Sequence, residues 1–168
     1  MYLTNQKIAL RELKEKDAKL MLEWMHDKEV VAYMDKNFNN FSLQDCNQFI
    51  KESWGDNANM HFAIVDEKDN YLGTVSLKNI CLQSAEFAIT IRKCVMGKEV
   101  AKVAMKKILS YGFNDMKLEK IYWYVFVENK RAIRFYDKNG YCRVEQPEVC
   151  HNIPTKMCYW YEVTREHN

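Results

Sequence analysis

The sequence has little proline or glycine and no long apolar run. Its 168 residues include 2 Pro and 5 Gly, too few for a disordered low-complexity chain or a fibrous repeat. No apolar stretch approaches the roughly 20 residues of a membrane-spanning helix, and residues 1–7 lack the apolar centre of a secretion signal. We therefore expect a folded, cytoplasmic protein with no membrane partner.

An excess of charge of one sign is also lacking. The chain has 25 basic and 23 acidic residues, a formal net charge of +2, and the two signs are interspersed. Nonspecific nucleic-acid binding needs a continuous basic surface. Exposed aromatic residues such as Tyr122, Tyr124 and Trp160 would suit an RNA-binding sheet, but no basic field or stacking motif accompanies them. We expect no nucleic-acid partner.

The six cysteines form no C-x-x-C pair and have no histidine at zinc-finger spacing. A free cysteine in such a chain most often packs as a small apolar side chain. We expect reduced thiols and no bound metal.

The hydrophobic pattern predicts one mixed α/β domain over residues 1–168. Hydrophobic residues make up 48% of the chain, enough for a single core. The predicted order is β-α-α-β-β-β-α-β-α-β-β, an antiparallel sheet followed by a β-α-β-α unit, with helices on both faces. The predicted strands are residues 8–13, 60–65, 71–80, 85–92, 121–127, 141–145 and 157–163, and the predicted helices begin near Lys16, Ser42, Lys98 and Asn129.

The junction from Ile89 to Ala101 carries the first chemical signal. A strand runs through a short loop containing Gly97 into a helix N-terminus. Such a turn exposes unpaired backbone N–H groups, and the helix dipole adds positive charge, so the site favours a phosphate or pyrophosphate. The alternative is a simple tight turn, and these residues alone do not decide between the two.

A second segment, residues 127–141 (VENKRAIRFYDKNGY), resembles the N-x-x-(S/A)-x-x-x-Y-x-K-x-G-(F/Y) signature of the GNAT superfamily, N-acyltransferases that use acyl-coenzyme A. Residues 97–101 (GKEVA) resemble the pyrophosphate loop of its RimJ/RimL-like branch, and residues 11–17, residues 22–25 and Gly73 are also similar to that branch. The likeness covers nearly the whole chain. It implies a GNAT fold, in which helices flank both faces of a mixed, mostly antiparallel sheet.

The resemblance also implies site residues and acetyl-CoA as co-substrate, with no metal. Tyr136 is the implied general acid, and Glu86 the implied carboxylate that deprotonates the amine directly or through water; by pattern alone Glu86 could equally face outward. A backbone N–H near residues 89–91 would stabilise the oxyanion. The implied coenzyme-binding residues are Ile89, Ile91, Arg92, Met96, Gly97, Lys98, Glu99, Val100, Ala101, Asn129, Arg131, Ala132, Arg134 and Lys138.

Several of these residues have plainer interpretations. Trp24, Tyr33 and Phe38 are implied to line an acceptor pocket, but each would also suit core packing. Asn129 is a good helix cap in any protein, and Tyr136 would suit an ordinary core position. The cations Arg131, Arg134 and Lys138 would suit a solvated helix face.

Two positions depart from the family pattern. Glu99 replaces the second loop glycine, and Val103 replaces an acidic residue. A carboxylate near a pyrophosphate is unfavourable unless it points to solvent, and a residue other than glycine resists positive φ. We expect right-handed helical geometry at Glu99, which would avoid both problems.

The sequence thus predicts acetyl transfer from acetyl-CoA to a primary amine. The acceptor is a small molecule such as an amino sugar or aminoglycoside, or a protein N-terminus, and the enzyme is a monomer or homodimer. The alternative, motivated by Glu99, is a noncatalytic acyl-CoA-binding or sensing module with the same fold.

Overall fold

The computed structural model of the chain describes residues 7–150 and 153–167. The prediction about the N-terminal segment therefore lies outside the described residues, apart from Lys7. No helix within the described ranges is long and apolar enough to cross a bilayer.

A seven-stranded sheet of order β1-β2-β3-β4-β5-β7-β6 forms the centre of the molecule. Every strand pairing is antiparallel except that of β4 with β5, which is parallel. The strands are β1 (Ala9–Glu12), β2 (Met60–Val65), β3 (Tyr71–Cys81), β4 (Ser84–Ile91), β5 (Lys120–Phe126), β6 (Cys142–Val144) and β7 (Cys158–Thr164). The helices are α1 (Ala18–Met25), α2 (Lys28–Val31), α3 (Leu43–Ser53), α4 (Val100–Ser110) and α5 (Lys130–Lys138).

The helices cover both faces of this sheet. On β2, Ile64 packs with residues of α4 and α5, whereas its neighbours Ala63 and Val65 pack with residues of α1 and α3. Successive side chains of a strand point to opposite faces, so the two apolar clusters lie on opposite sides. The predicted mixed α/β architecture is confirmed.

Three predicted helix ends are confirmed by their capping residues. The Ser42 hydroxyl accepts the Asp45 N–H at the start of α3, and the Asn129 side chain accepts the Ala132 N–H at the start of α5. Gly140 follows α5 at φ 81°, the left-handed geometry that ends helices. The predicted order lacked α2, whose four residues are too few to show a helical period.

The sheet opens between β4 and β5. The two strands pair only along Ser84–Glu86 and Lys120–Tyr122, whereas β4 continues to Ile91 and β5 to Phe126. Beyond the last pair the strands diverge and their facing edges form a wedge. On the other side of β4, Gly73 lets β3 approach closely, because a Cβ there would lie 2.3 Å from the Thr90 carbonyl oxygen. The wedge is therefore bordered by a tightly paired β3–β4 hairpin.

Candidate active site

A cleft of about 740 Å³ opens where β4 and β5 diverge. Its walls are the two strands, the N-terminus of α4, helix α5 and the segment that follows α2. One end of the cleft is therefore built from backbone at a helix N-terminus, and the other from polar side chains of the sheet and the loop.

The helix end of the cleft is suited to an anion. The backbone N–H groups of Gly97, Glu99, Ala101 and Lys102 have no acceptor among the residues that the structure describes. Gly97 has φ 76°, and a Cβ there would meet no atom within 4 Å, so the space above the loop is open. Unpaired N–H groups and the α4 dipole together favour a phosphate group.

Glu99 does not have the predicted right-handed geometry. It caps α4 at φ 38° and ψ −7°, because the chain makes a sharp left-handed turn from the loop into the helix. Its side chain is 68% exposed and lies 3.4 Å from the Lys102 ammonium. The carboxylate thus points to solvent, and the loop remains open to an anion despite the departure from the family pattern.

Tyr136 lies in the cleft wall on α5, where it is 6% exposed. The centroids of the Trp123, Phe135 and Tyr161 rings are each 5.2 Å from that of Tyr136. Burial raises the pKa of Tyr136, and the neighbouring Tyr141 and Tyr161 raise it further. Within the described part of the chain the hydroxyl makes no hydrogen bond, so it is available to a ligand.

Glu86 also lines the cleft, although it is 5% exposed. Its Oε2 accepts a hydrogen bond of 2.9 Å from the Asn79 amide, and its Oε1 lies 3.3 Å from the Lys78 ammonium. Of the two orientations that the sequence left open, the structure has the one that faces the cleft.

Beside Glu86, the acceptor end includes a pair that sequence analysis did not identify. The Tyr124 hydroxyl donates a hydrogen bond of 2.5 Å to the carboxylate of Asp35, which follows α2. Burial, the bond to Asp35 and the charge of Glu86 all raise the pKa of Tyr124. Asp35 had no signal in the sequence, because it lies in an irregular segment that only the fold brings to β5.

Four predicted site residues do not line the cleft: Trp24, Arg92, Val100 and Arg134. Trp24 is buried, and its indole N–H donates to the Tyr71 hydroxyl at 3.0 Å. Arg92 donates to Glu23 at 2.9 Å and to the Tyr71 carbonyl at 3.2 Å, so its guanidinium joins α1 to the end of β4.

The other two also have physical reasons to be elsewhere. Val100 is 4% exposed and its side chain packs in the core under α4. Arg134 is exposed on α5, one position after the buried Ile133. The predicted residues that do line the cleft are Tyr33, Phe38, Glu86, Ile89, Ile91, Met96, Gly97, Lys98, Glu99, Ala101, Asn129, Arg131, Ala132, Tyr136 and Lys138.

Known acetyltransferases are similar to this chain over most of its length. The family described as the acetyltransferase (GNAT) domain matches residues 7–141. Spermidine N(1)-acetyltransferase of Vibrio cholerae is 29% identical over 140 residues, which cover 82% of this chain and 80% of the relative. Acetyltransferase PseH of Campylobacter jejuni is 23% identical over 146 residues, covering 87% and 90%.

A crystal structure of the Vibrio cholerae spermidine N-acetyltransferase with CoA and spermine superimposes with a TM-score of 0.82. The two chains are 25% identical, and the superposition covers 95% of this chain and 96% of that one. These similarities do not distinguish the predicted RimJ/RimL-like branch, which stays a prediction.

Proposed function

The chain belongs to the GNAT acetyltransferase family and is an acetyl-CoA-dependent N-acetyltransferase, and from that premise we propose that its acceptor is the primary amine of a small molecule. The observation that carries the proposal is one continuous cleft, which joins the anion-binding end of α4 to the polar end at Glu86, Asp35 and Tyr124. A protein N-terminus is the second candidate acceptor.

The size and charge of the acceptor end support a small amine. The cleft of about 740 Å³ has to hold the thioester as well as the acceptor. Glu86 is paired with Lys78, whereas the exposed carboxylate of Asp35 has Tyr124 as a neutral partner. Asp35 would attract a protonated amine, and an amino sugar or a short aliphatic amine fits this arrangement.

Coenzyme binding is assigned to the two helix ends. The unpaired N–H groups at the start of α4 would hold the pyrophosphate, since they lack an acceptor among the described residues and the space beside Gly97 is open. Lys98, Arg131 and Lys138 line the cleft and would add positive charge. The Asn129 side chain already caps α5, so its role in coenzyme contact comes from the family resemblance alone.

Glu86 would remove the proton from the acceptor. A primary amine has a pKa of about 10 and is mostly protonated at neutral pH, so it must lose a proton before it attacks. The Glu86 carboxylate faces the cleft and takes that proton directly or through a water molecule. The backbone N–H groups of β4 that face the wedge would donate to the carbonyl oxygen of the thioester as negative charge develops there.

Tyr136 would stabilise the departing thiolate. The raised pKa of Tyr136 keeps its hydroxyl protonated at neutral pH. A thiol has a pKa of about 8.5, so complete proton transfer from this tyrosine to the thiolate is uphill. Tyr136 therefore acts as a hydrogen-bond donor while sulfur becomes charged. The nitrogen loses a second proton as the amide forms, and that proton completes the thiol, whereas the first leaves Glu86 for solvent.

An acceptor panel tests the proposal. Release of the CoA thiol from acetyl-CoA would be followed with amino sugars, aminoglycosides, spermidine and peptides with free N-termini. Turnover of a small amine at a kcat/KM well above that of any peptide is expected. Preference for a peptide would overturn the small-molecule acceptor, and absence of turnover with every amine would revive the noncatalytic binding module.

Four further parts of the proposal concern the enzyme's setting. The reaction requires no metal, because Glu86, Tyr136 and backbone donors suffice for the proton and charge transfers; activity should survive a chelator. The protein acts in the cytoplasm as a single domain. It is a monomer or homodimer, and sedimentation would check this oligomeric state.

A further inference from the structure

The β3–β4 hairpin contains a bulge next to Glu86. The register is regular up to the pair Lys78–Glu86, and the next pair is Cys81–Ser84. Two residues of β3, Asn79 and Ile80, therefore lie opposite one residue of β4, which defines a β-bulge. Bulges beside active sites commonly redirect a side chain.

Two hydrogen bonds to the segment before β2 fix the backbone of the bulge. Asn79 has φ 50°, a left-handed geometry that asparagine tolerates better than most residues. Its N–H donates to the Asn59 side chain at 3.0 Å, and the Ile80 N–H donates to the Ala58 carbonyl at 2.9 Å. The segment before β2 thus fixes the left-handed residue.

The bulge lets two consecutive residues reach one carboxylate. In a regular strand, residues 78 and 79 would point to opposite faces of the sheet. Here the Lys78 ammonium lies 3.3 Å from Oε1 of Glu86, and the Asn79 amide donates to Oε2 at 2.9 Å. Because an ionised carboxylate only accepts hydrogen bonds, the NH₂ of Asn79 is the group that faces it.

The two contacts constrain the reacting group. The terminal torsion of a glutamate has a broad, roughly twofold profile, so a free carboxylate would swing. One donor on each oxygen stops that rotation and leaves further acceptor positions on both oxygens for the substrate. The other titratable groups around it are Tyr124 on β5, Asp35 after α2 and, beyond Lys78, His61 on β2.

From this geometry we infer that Asn79 is a positioning residue for the Glu86 carboxylate, so that its amide sets the direction in which Glu86 accepts the proton of the acceptor amine. The inference rests on the proposed function, in which Glu86 deprotonates the amine. Asn79 does not touch substrate and acts only through Glu86.

Asn79→Gly removes the amide and keeps a residue for which left-handed backbone is unstrained. With the best acceptor of the panel, we expect kcat/KM for the amine to fall by about 10-fold to 100-fold, the order of loss that misplacement of a reacting group produces. The KM for acetyl-CoA should not change.

Asn79→Asp retains the shape and the left-handed preference but places a second carboxylate against Glu86. The acid limb of the kcat/KM profile should then move to higher pH, because like charges disfavour ionisation. Such a shift would show that the side chain at position 79 lies against the group whose ionisation sets that limb, and its absence would contradict the positioning role. This variant also keeps the inference testable if Asn79→Gly fails to fold.

Gln83→Gly is the matched control, since it removes an amide side chain from another left-handed position of the same hairpin, at φ 61°. Its activity should equal that of the wild type. Wild-type kcat/KM and pH profile in folded Asn79 variants would overturn the positioning role and leave the proposed function intact. A wild-type enzyme that acetylates no amine would overturn both.

Discussion

At the scale of single residues, the two side chains assigned to the reaction, a proton acceptor and a hydrogen-bond donor, are held by different physical means. Glu86 is fixed by a charged and an amide donor, whereas Tyr136 is fixed by the rings of Trp123, Phe135 and Tyr161. Polar contacts direct the lone pairs of a carboxylate, and ring packing leaves a phenol hydroxyl without competing partners. The two side chains should therefore respond differently to substitution.

Tyr136→Phe keeps the ring and its packing and removes only the hydroxyl. If the hydroxyl donates to the developing thiolate, kcat falls on the order of 10²-fold or more, the loss that removal of one such donor produces, with little change in acetyl-CoA affinity. Because the pKa of Tyr136 is raised, the wild-type profile should show no loss of activity from its ionisation between about pH 6 and pH 9. Steady-state kinetics and calorimetry measure both quantities.

Tyr141→Phe is the control for this variant, since the Tyr141 ring also packs against Trp123, at 5.4 Å, but does not line the cleft. Its kcat should stay within about twofold of wild type, a difference near the thermal energy. Equal turnover in Tyr136→Phe and the wild type would make Tyr136 a packing residue only.

Glu99→Gly should stabilise the protein by about 1 kcal/mol. A left-handed conformation costs a residue with a Cβ roughly 1–2 kcal/mol, part of which the greater chain entropy of glycine offsets. Urea unfolding would measure the gain. A lower stability would contradict the left-handed geometry at φ 38°.

The acetyl-CoA affinity of the same variant shows whether Glu99 weakens coenzyme binding by the loop. Because the Glu99 carboxylate is mostly exposed, acetyl-CoA affinity should change by no more than about 1 kcal/mol, the scale of a surface charge interaction. A much larger gain would indicate that the wild-type loop binds poorly and would favour the sensing alternative.

Residue roles were predictable only where they depend on local sequence. The cap at Asn129 follows from residue type, and so does the left-handed Gly140. The direction of Glu86 was not predictable, because alternation has a period of two but does not say which face meets the site. Trp24 does not line the cleft, because its indole N–H donates to Tyr71. These two residues are 47 positions apart in the chain, so no local pattern in the sequence indicates the bond.

At the scale of elements, the loop into α4 depends on two left-handed residues in close succession, Gly97 at φ 76° and Glu99 at φ 38°. The helix and its exposed N-terminus were predictable, because hydrophobic period and glycine position are local signals. The predicted helix start, Lys98, is two residues before Val100, since the left-handed residues of the loop leave no periodic signal in the sequence.

Gly97→Trp tests where the coenzyme lies. A Cβ at this position would meet no protein atom within 4 Å, so the fold should survive with the modest strain of a left-handed residue. The indole would occupy the space above the unpaired N–H groups, and acetyl-CoA binding measured by calorimetry should be lost while the circular dichroism spectrum stays native.

Gly55→Trp is matched to it, because Gly55 has φ 78° and equally open surroundings but follows α3, away from the cleft. That variant should bind acetyl-CoA with wild-type affinity. If Gly97→Trp also binds normally, the coenzyme lies elsewhere.

At the scale of the whole molecule, the sheet separates two apolar clusters, and His61 belongs to the side covered by α3. Its Nδ1 lies 2.7 Å from the Ser76 hydroxyl, and its ring packs edge-on against Phe49. Burial first, and then the positive charge of Lys78, lower the pKa of His61 to about 4. The folded protein therefore keeps this side chain neutral under mildly acidic conditions.

This linkage predicts a loss of stability in acid. The unfolded chain binds a proton at His61 below about pH 6.5, whereas the folded chain does so only near pH 4. The contribution of neutral His61 to the free energy of unfolding is thus complete above pH 6.5. As the pH falls towards 4, the free energy of unfolding decreases by at most about 3 kcal/mol through this group. His61→Gln keeps a polar partner for Ser76 but does not titrate.

Denaturant unfolding at pH 7 and pH 4.5 would compare the two proteins. The free energy of unfolding should fall less in His61→Gln than in the wild type over this interval. Parallel pH dependence in both proteins would mean that other groups, such as paired carboxylates, account for the acid sensitivity.

The divergence of β4 and β5 has a consequence for deuterium uptake. Along β4, alternate N–H groups face β3, where they are paired, or the wedge, where none of the described strands pairs with β4 beyond Glu86. In the ligand-free protein, amide protons over residues 87–91 should therefore alternate between slow and fast exchange with solvent. Acetyl-CoA in the wedge should slow the fast set and leave the slow set unchanged, so the strand itself reports coenzyme occupancy before any acceptor is known.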